Sequence, residues 1–219
     1  MIKRLTVICE NSVYVPLPLI GEHGLSFLLE GDETTLFDTG QGLGVVHNLK
    51  MMGKDISSIR RIILSHGHYD HTGGLLPVLR EHGGKTPVFL HPSAFNNKLA
   101  QRSPDLIVKI GMGTSREEYE NAGAVFSEIY GYSSVCGSIH ALCDVRHHEG
   151  WEPWDKMLKT EVGGEVKSDP FNDDLSLLVD TPSGPVVLLG CAHAGMVEIL
   201  DQISEASGCK EFYAVIGGT

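Results

Sequence analysis

No run of about 18 apolar residues, the length a membrane-spanning helix needs, occurs in the chain. Positive charge is also scarce. The 17 Lys and Arg stand against 28 Asp and Glu, giving a formal net charge of −11. Such an acidic surface repels phosphate backbones and anionic membranes, so neither nucleic acid nor a lipid surface is expected as a partner. Net charge does not exclude a locally positive pocket that holds an anion. There is no C-x-x-C pair, and the five cysteines (Cys9, Cys136, Cys143, Cys191, Cys209) are odd in number and scattered. Mostly buried thiols are expected, not a disulfide framework. Cys9, Glu10 and Asn11 interrupt the N-terminal apolar stretch, which makes a poor signal-peptide core and a better first strand. Cytoplasmic is therefore the default location. Linkers, low-complexity tracts and internal repeats are missing too. The 219 residues suffice for one large core, so a single domain over 1–219 is expected.

What is present alternates between strand and helix patterns. Leu5 to Cys9 reads as a strand, and Leu25–Leu29 with Thr35–Phe37 as a hairpin around Gly31-Asp32-Glu33. Val45–Met52 reads as a short helix stopped by Gly53, and Arg61–Leu64 as a buried strand. Thr72–His82 can form one helix ending at Gly83-Gly84, with Pro77 near its start, and Val88–Leu90 is the next strand. From about Ser93 to Gly164 the pattern weakens, apart from a helix start at Ser115 with Glu118 in the capping-box position. A second hairpin spans Leu175–Val179 and Val186–Leu189. A helix over Ala194–Ala206 follows, with Met196, Ile199, Leu200 and Ile203 on one face, and then a last strand over Phe212–Ile216. Hairpins mixed with βα units imply an α/β or α+β layered fold.

The chemistry concentrates where the Arg61–Leu64 strand ends. Ser65-His66-Gly67-His68-Tyr69-Asp70-His71 places four metal-ligand side chains within six residues. His66 and His68 can converge on one ion, and Asp70 and His71 can turn toward a second. Gly67 permits the tight path. Imidazole and carboxylate donors suit zinc, with manganese, iron or nickel possible on the same set. Two neighbouring ions can share a hydroxide that is nucleophilic at neutral pH. A surface loop decorated with histidines is the plainer alternative, but four donors at this spacing after a buried strand argue against it.

This segment contains the H-x-H-x-D-H signature, and the chain resembles the metallo-β-lactamase superfamily. Further blocks carry the resemblance: Glu22-His-Gly-Leu-Ser-Phe, Leu36-Phe-Asp-Thr-Gly40-Gln, His91-Pro, Asp173-Asp-Leu, Gly190-Cys-Ala-His-Ala-Gly195 and Ile216-Gly-Gly. They look like a branch similar to the archaeal dihydropterin-ribofuranosylaminobenzene-phosphate synthases. The resemblance implies a four-layer αββα sandwich. It also implies one ion on His66, His68 and His193, and a second on Asp70 and His71, with Asp70 orienting the nucleophile. Asp38 would support the histidine loop by hydrogen bonds. Cys191 stands where many relatives have a bridging aspartate; a thiolate could bridge there, and burial or a minor role is the expectation, since His193 already offers a ligand. Asp173 and Asp174 are reserve carboxylate ligands, with capping or turn duty equally open to them. His91-Pro92 is a candidate pocket lining. His23, His47, His82, His140, His147 and His148 receive no role.

In the family a histidine follows the Gly-Gly block, whereas this sequence ends at Gly217-Gly218-Thr219. A weaker second ion is the expectation. Three functions compete. The first is a metal-dependent hydrolase acting on a small ester or phosphoester. The second is a transferase of the synthase-like branch, taking a phosphorylated small molecule. The third is a metal-binding protein without turnover.

Overall fold

Period-two alternation decides how the layers stack. The computed structural model describes residues 1–103 and 105–218. Its first sheet has the order β1-β2-β3-β4-β5-β8. It is built from β1 (Ile2–Cys9), β2 (Ser26–Gly31), β3 (Thr34–Phe37), β4 (Ile59–Ile63), β5 (Thr86–Leu90) and β8 (Ala124–Glu128). The first three strands are antiparallel, and β3, β4, β5 and β8 run parallel. Neighbouring residues on these strands point to opposite faces. Leu28, Leu36 and Ile62 pack outward against α1 (Val45–Met51), α3 (Leu75–His82) and Tyr119 of α4 (Arg116–Asn121). Phe27, Phe37 and Ile63 point inward to a second sheet.

That second sheet has the order β15-β14-β13-β10-β9. Its strands are β9 (Tyr132–Cys136), β10 (Ile139–Leu142), β13 (Ser176–Thr181), β14 (Gly184–Leu189) and β15 (Ala214–Gly217). Ile139, Leu177 and Leu188 meet the first sheet, while Leu178, Val187 and Leu189 face Ile199 and Ile203 of α5 (Met196–Ser207). The layers are therefore helix, sheet, sheet, helix, the αββα sandwich that the family resemblance implies. Among the described residues no helix is long and apolar enough to cross a membrane.

Several local expectations change. The histidine segment leads into a separate turn, α2 (Tyr69–Thr72), and Thr72–His82 is not one helix. The break falls at Gly73 and Gly74, which keep near-helical angles. A Cβ on Gly73 would overlap the Gln41 carbonyl oxygen and one on Gly74 that of Thr39, so only glycine fits this close approach. Ser115 does cap α4, accepting from the Glu118 N–H, but the Glu118 side chain turns to Arg80. Met196 is 41% exposed and not part of the buried face of α5. The weakly patterned middle of the chain forms a third sheet, order β12-β11-β6-β7, from β6 (Asn97–Ser103), β7 (Leu106–Lys109), β11 (Leu158–Val162) and β12 (Glu165–Ser168). Of the five cysteines, which are all free, only Cys9 and Cys143 are fully buried.

The contact between the two main sheets should dominate stability. Phe37 is fully buried in it. Phe37→Ala is expected to cost about 3–5 kcal/mol in urea unfolding. Val108→Ala, on an exposed strand of the third sheet, should cost less than about 1 kcal/mol. Equal losses would show that the core is not where the layers meet.

Candidate metal centre

Parallel pairing of β3 with β4 sets Phe37 beside Ile63, so the residues leaving both strands run side by side. Asp38 leaves β3 in a left-handed conformation (φ 58°) and is fully buried. Its Oδ1 accepts the Ser65 N–H at 2.7 Å. Its Oδ2 accepts the Ser65 hydroxyl at 2.7 Å and His71 Nδ1 at 2.6 Å. With its proton committed to Asp38, the Ser65 hydroxyl can only accept from His66 Nδ1, 2.9 Å away. Both histidines therefore have Nδ1 engaged as a donor and turn Nε2 toward the site. Gly67 crosses close under Ala94, whose carbonyl oxygen a Cβ would overlap.

Two groups of donors result. In the first, His66, His68 and His193 each place one ring nitrogen within 4.8 Å of the others. His66 Nε2 and His68 Nδ1 face each other at 3.0 Å. His193 arrives from the exit of β14, and its buried Nε2 has no hydrogen-bond partner. The Phe171 ring stacks on it, with 4.7 Å between centroids. The second group is His66, His71 and Cys191. Cys191 Sγ lies 3.3 Å from His71 Nε2, and Asp70 Oδ2 lies 3.6 Å from the same nitrogen. His23 Nε2 stands 3.3 Å from Asp70 Oδ2. On this side the site opens into a cleft of about 420 Å³, walled by Val7, Leu25, Phe27 and Ile216, with Glu10 and Asn11 also lining it.

Burial, reinforced by the neighbouring imidazoles, pulls His66 and His68 well below the ordinary histidine value of 6.5. Burial also brings His193 down to about 4. His71 goes the other way. Burial disfavours its charge, but Asp38 and Cys191 outweigh that and hold it well above 6.5.

The sequence profile of the metallo-beta-lactamase superfamily matches residues 19–103. A 7,8-dihydropterin-6-methyl-4-(beta-D-ribofuranosyl)-aminobenzene-5'-phosphate synthase of Methanocaldococcus jannaschii is 31% identical over 98% of this chain and 76% of its own length. The chain belongs to the metallo-beta-lactamase superfamily. The crystal structure of a metal-dependent hydrolase of that superfamily superposes with a TM-score of 0.80 at 27% identity, covering 98% of this chain and 75% of the other. An N-acyl homoserine lactone lactonase shares the fold, with a TM-score of 0.52 at 20% identity over 99% and 92% of the two chains.

Superfamily members typically bind metals, and the donors of this member fit a transition-metal ion. Two buried imidazoles and a half-buried third, whose buried Nε2 is orphaned, are costly unless a cation or water satisfies them. The thiol and carboxylate of the second group extend the set to softer and harder ligands. Asp70 lies beside that group and outside its tightest three donors.

Two sequence expectations need correction, those for Cys191 and His91. Cys191 is only partly buried and stands among the donors, because the turn after β14 leaves its side chain on the cleft. Asp173 and Asp174 fall in neither donor group. Asp173 accepts the Gly67 N–H at 2.9 Å, and Asp174 accepts the Ala194 N–H at 2.8 Å. His91 does not line the 420 Å³ cleft; its Nε2 pairs with Asp144 at 3.2 Å. Sequence reading also missed three residues: Lys98, buried against Asp169 and Asp173; Phe171 on His193; and His23 beside Asp70. For His23 a signal existed in its Glu22-His-Gly block. Lys98 and Phe171 gave none. Thr219, which closes the Gly-Gly block, lies outside the described residues.

The depressed His193 gives a signed pH prediction for metal-free protein. Folded, it stays neutral down to about 4, whereas unfolded it takes a proton below 6.5. Its contribution is thus fully present above 6.5 and is lost as pH falls toward 4. Relative to His193→Gln, the unsubstituted chain should lose about 1 kcal/mol or more between pH 7.5 and 4.5, read by urea unfolding in chelator. Parallel profiles would show that His193 is not held neutral.

Proposed function

We propose that the chain is a metal-dependent hydrolase of ester or phosphoester small molecules, with zinc as its ion and manganese or iron as alternatives. The observation that carries this reading is the His66/His68/His193 group with its buried, orphaned His193 Nε2. Those three residues would hold one ion. Asp70, His71 and Cys191 would hold the second, on the cleft side. When bound, such ions supply Lewis acidity and bring the ionisation of solvent toward neutral pH.

The chain's own groups then have distinct tasks. Asp38 fixes the His71 ring so that Nε2 faces the cleft. Val7, Leu25, Phe27 and Ile216 offer an apolar wall for one part of a substrate. Glu10, Asn11 and His23 present polar edges around it. The 31% identity to a synthase that makes a dihydropterin-aminobenzene phosphate supports a second reading. In it, the same centre and cleft join a pterin part to an arylamine part.

Protein purified without chelator should carry one to two equivalents of transition metal by elemental analysis, and His68→Ala should lower that content. A panel of esters and phosphodiesters should be turned over, with activity abolished by EDTA and restored by zinc or manganese. Asp70→Asn should keep the fold and reduce the rate by at least about tenfold. Metal content below a few tenths of an equivalent would reject the centre. A loaded protein that ignores the panel but forms the pterin–arylamine product would select the second reading.

A further inference from the structure

The segment Asp169-Pro-Phe-Asn-Asp-Asp174 reaches every loop that delivers a histidine to the first donor group. Asp173 Oδ2 accepts the N–H of Gly67, which lies between His66 and His68. Phe171 stacks on the His193 ring, and Asp174 Oδ2 accepts the N–H of Ala194, the next residue along. Just beyond the segment, the Leu175 N–H donates to the Ser65 carbonyl at 2.8 Å.

The segment is itself held from below. Lys98 on β6 donates to Asp173 Oδ1 at 2.5 Å and to Asp169 Oδ2 at 2.9 Å, and all three side chains are buried. Asp169 Oδ1 also accepts the Phe171 N–H at 2.9 Å. Phe171 stands at φ 53°, a conformation that side-chain-bearing residues rarely adopt, and it packs with Ala100, Ile110 and Leu158 of the third-sheet core. A buried lysine with two buried aspartates is a poor source of stability compared with apolar packing. What it provides is a fixed geometry.

We infer that the Asp169–Asp174 segment, anchored to the third sheet by Lys98, is the positioning element that preorganises His66, His68 and His193 for a metal ion. Asp173 sets the histidine loop through Gly67, and Phe171 sets the plane of His193. The inference rests on the metal-centre reading above. It assigns the third sheet a role that neither main sheet can perform, because the segment joins loops from both.

Cobalt(II) is the probe, with affinity at the tighter step read by chelator competition and geometry read from the d–d absorption. Asp173→Asn cannot accept from both Gly67 and Lys98, so the tighter affinity should fall at least about tenfold with an altered band. Phe171→Leu keeps an apolar side chain but removes the flat ring, and should lose about two- to tenfold, the worth of an aromatic stack. Glu161→Gln, whose carboxylate accepts from Asn97 on the exposed side of the third sheet, should bind as the unsubstituted chain does. Urea unfolding of the metal-free forms separates positioning from stability, since a purely structural role lowers unfolding midpoints without changing affinity or band. Should Asp173→Asn not fold, Phe171→Leu alone decides. Cobalt binding with unchanged affinity and spectrum in the folded variants overturns the inference and leaves the metal centre standing. No cobalt binding by the unsubstituted chain overturns both.

Discussion

Everything at the centre depends on one buried carboxylate. Asp38 takes three hydrogen bonds, from the Ser65 backbone, the Ser65 hydroxyl and the His71 ring. A carboxylate at full burial is tolerable only with such compensation. Removing it would leave several donors without partners at once. The same bonds fix which nitrogen of His66 and of His71 faces the site, so one side chain governs the ring orientation of two others. Asp38 can do this because the β3–β4 register delivers it beside Ser65, and because its left-handed backbone turns the carboxylate inward.

The donor groups sit where strand ends from both sheets converge. β3 brings Asp38, β4 brings the histidine loop, and β14 brings Cys191 and His193. Residues far apart in sequence meet because inter-sheet packing around Phe37, Ile63, Leu177 and Leu188 fixes the distance between those ends. The third sheet closes one side of this junction. The Tyr69 N–H donates to the Ile110 carbonyl at 2.8 Å, which ties the start of α2 to the residue after β7.

Sequence reading succeeded where a signal was local. The hairpins at residues 26–37 and 176–189 carry alternation and turn residues, and α5 carries helical spacing, so those elements appeared close to their observed bounds. The histidine segment was legible because its donors lie within one loop. Failures came where tertiary contact decided. A helix pattern runs on through Gly73 and Gly74, yet the helix is interrupted there, where the backbones of Gln41 and Thr39 come too close for any side chain. Lys98 sits on a strand whose neighbours read as unremarkable, and its partners lie 71 and 75 residues away. For Cys191 burial or a minor role is the expectation, because His193 nearby already offers a ligand. Its exposure to the cleft depends on a turn with Ala192 at φ 49°, which no spacing rule reveals.

The two donor groups are not independent, and this gives the centre a direction. His66 belongs to both, but Ser65 occupies its Nδ1, so only Nε2 can face a cation. One nitrogen serves one ion, and the groups must therefore divide unequally. His68 and His193 lie on the side covered by Phe171 and the third sheet. His71, Cys191 and Asp70 lie on the side that opens to the cleft. If His66 goes with the covered pair, that side has three imidazoles and little access, a holding site. The open side then keeps His71, a thiol and a carboxylate, with room for an incoming group beside Phe27 and Ile216. On that assignment the enclosed half would retain its ion and the exposed half would meet the incoming group, because the Ser65 hydroxyl leaves His66 a single nitrogen to give.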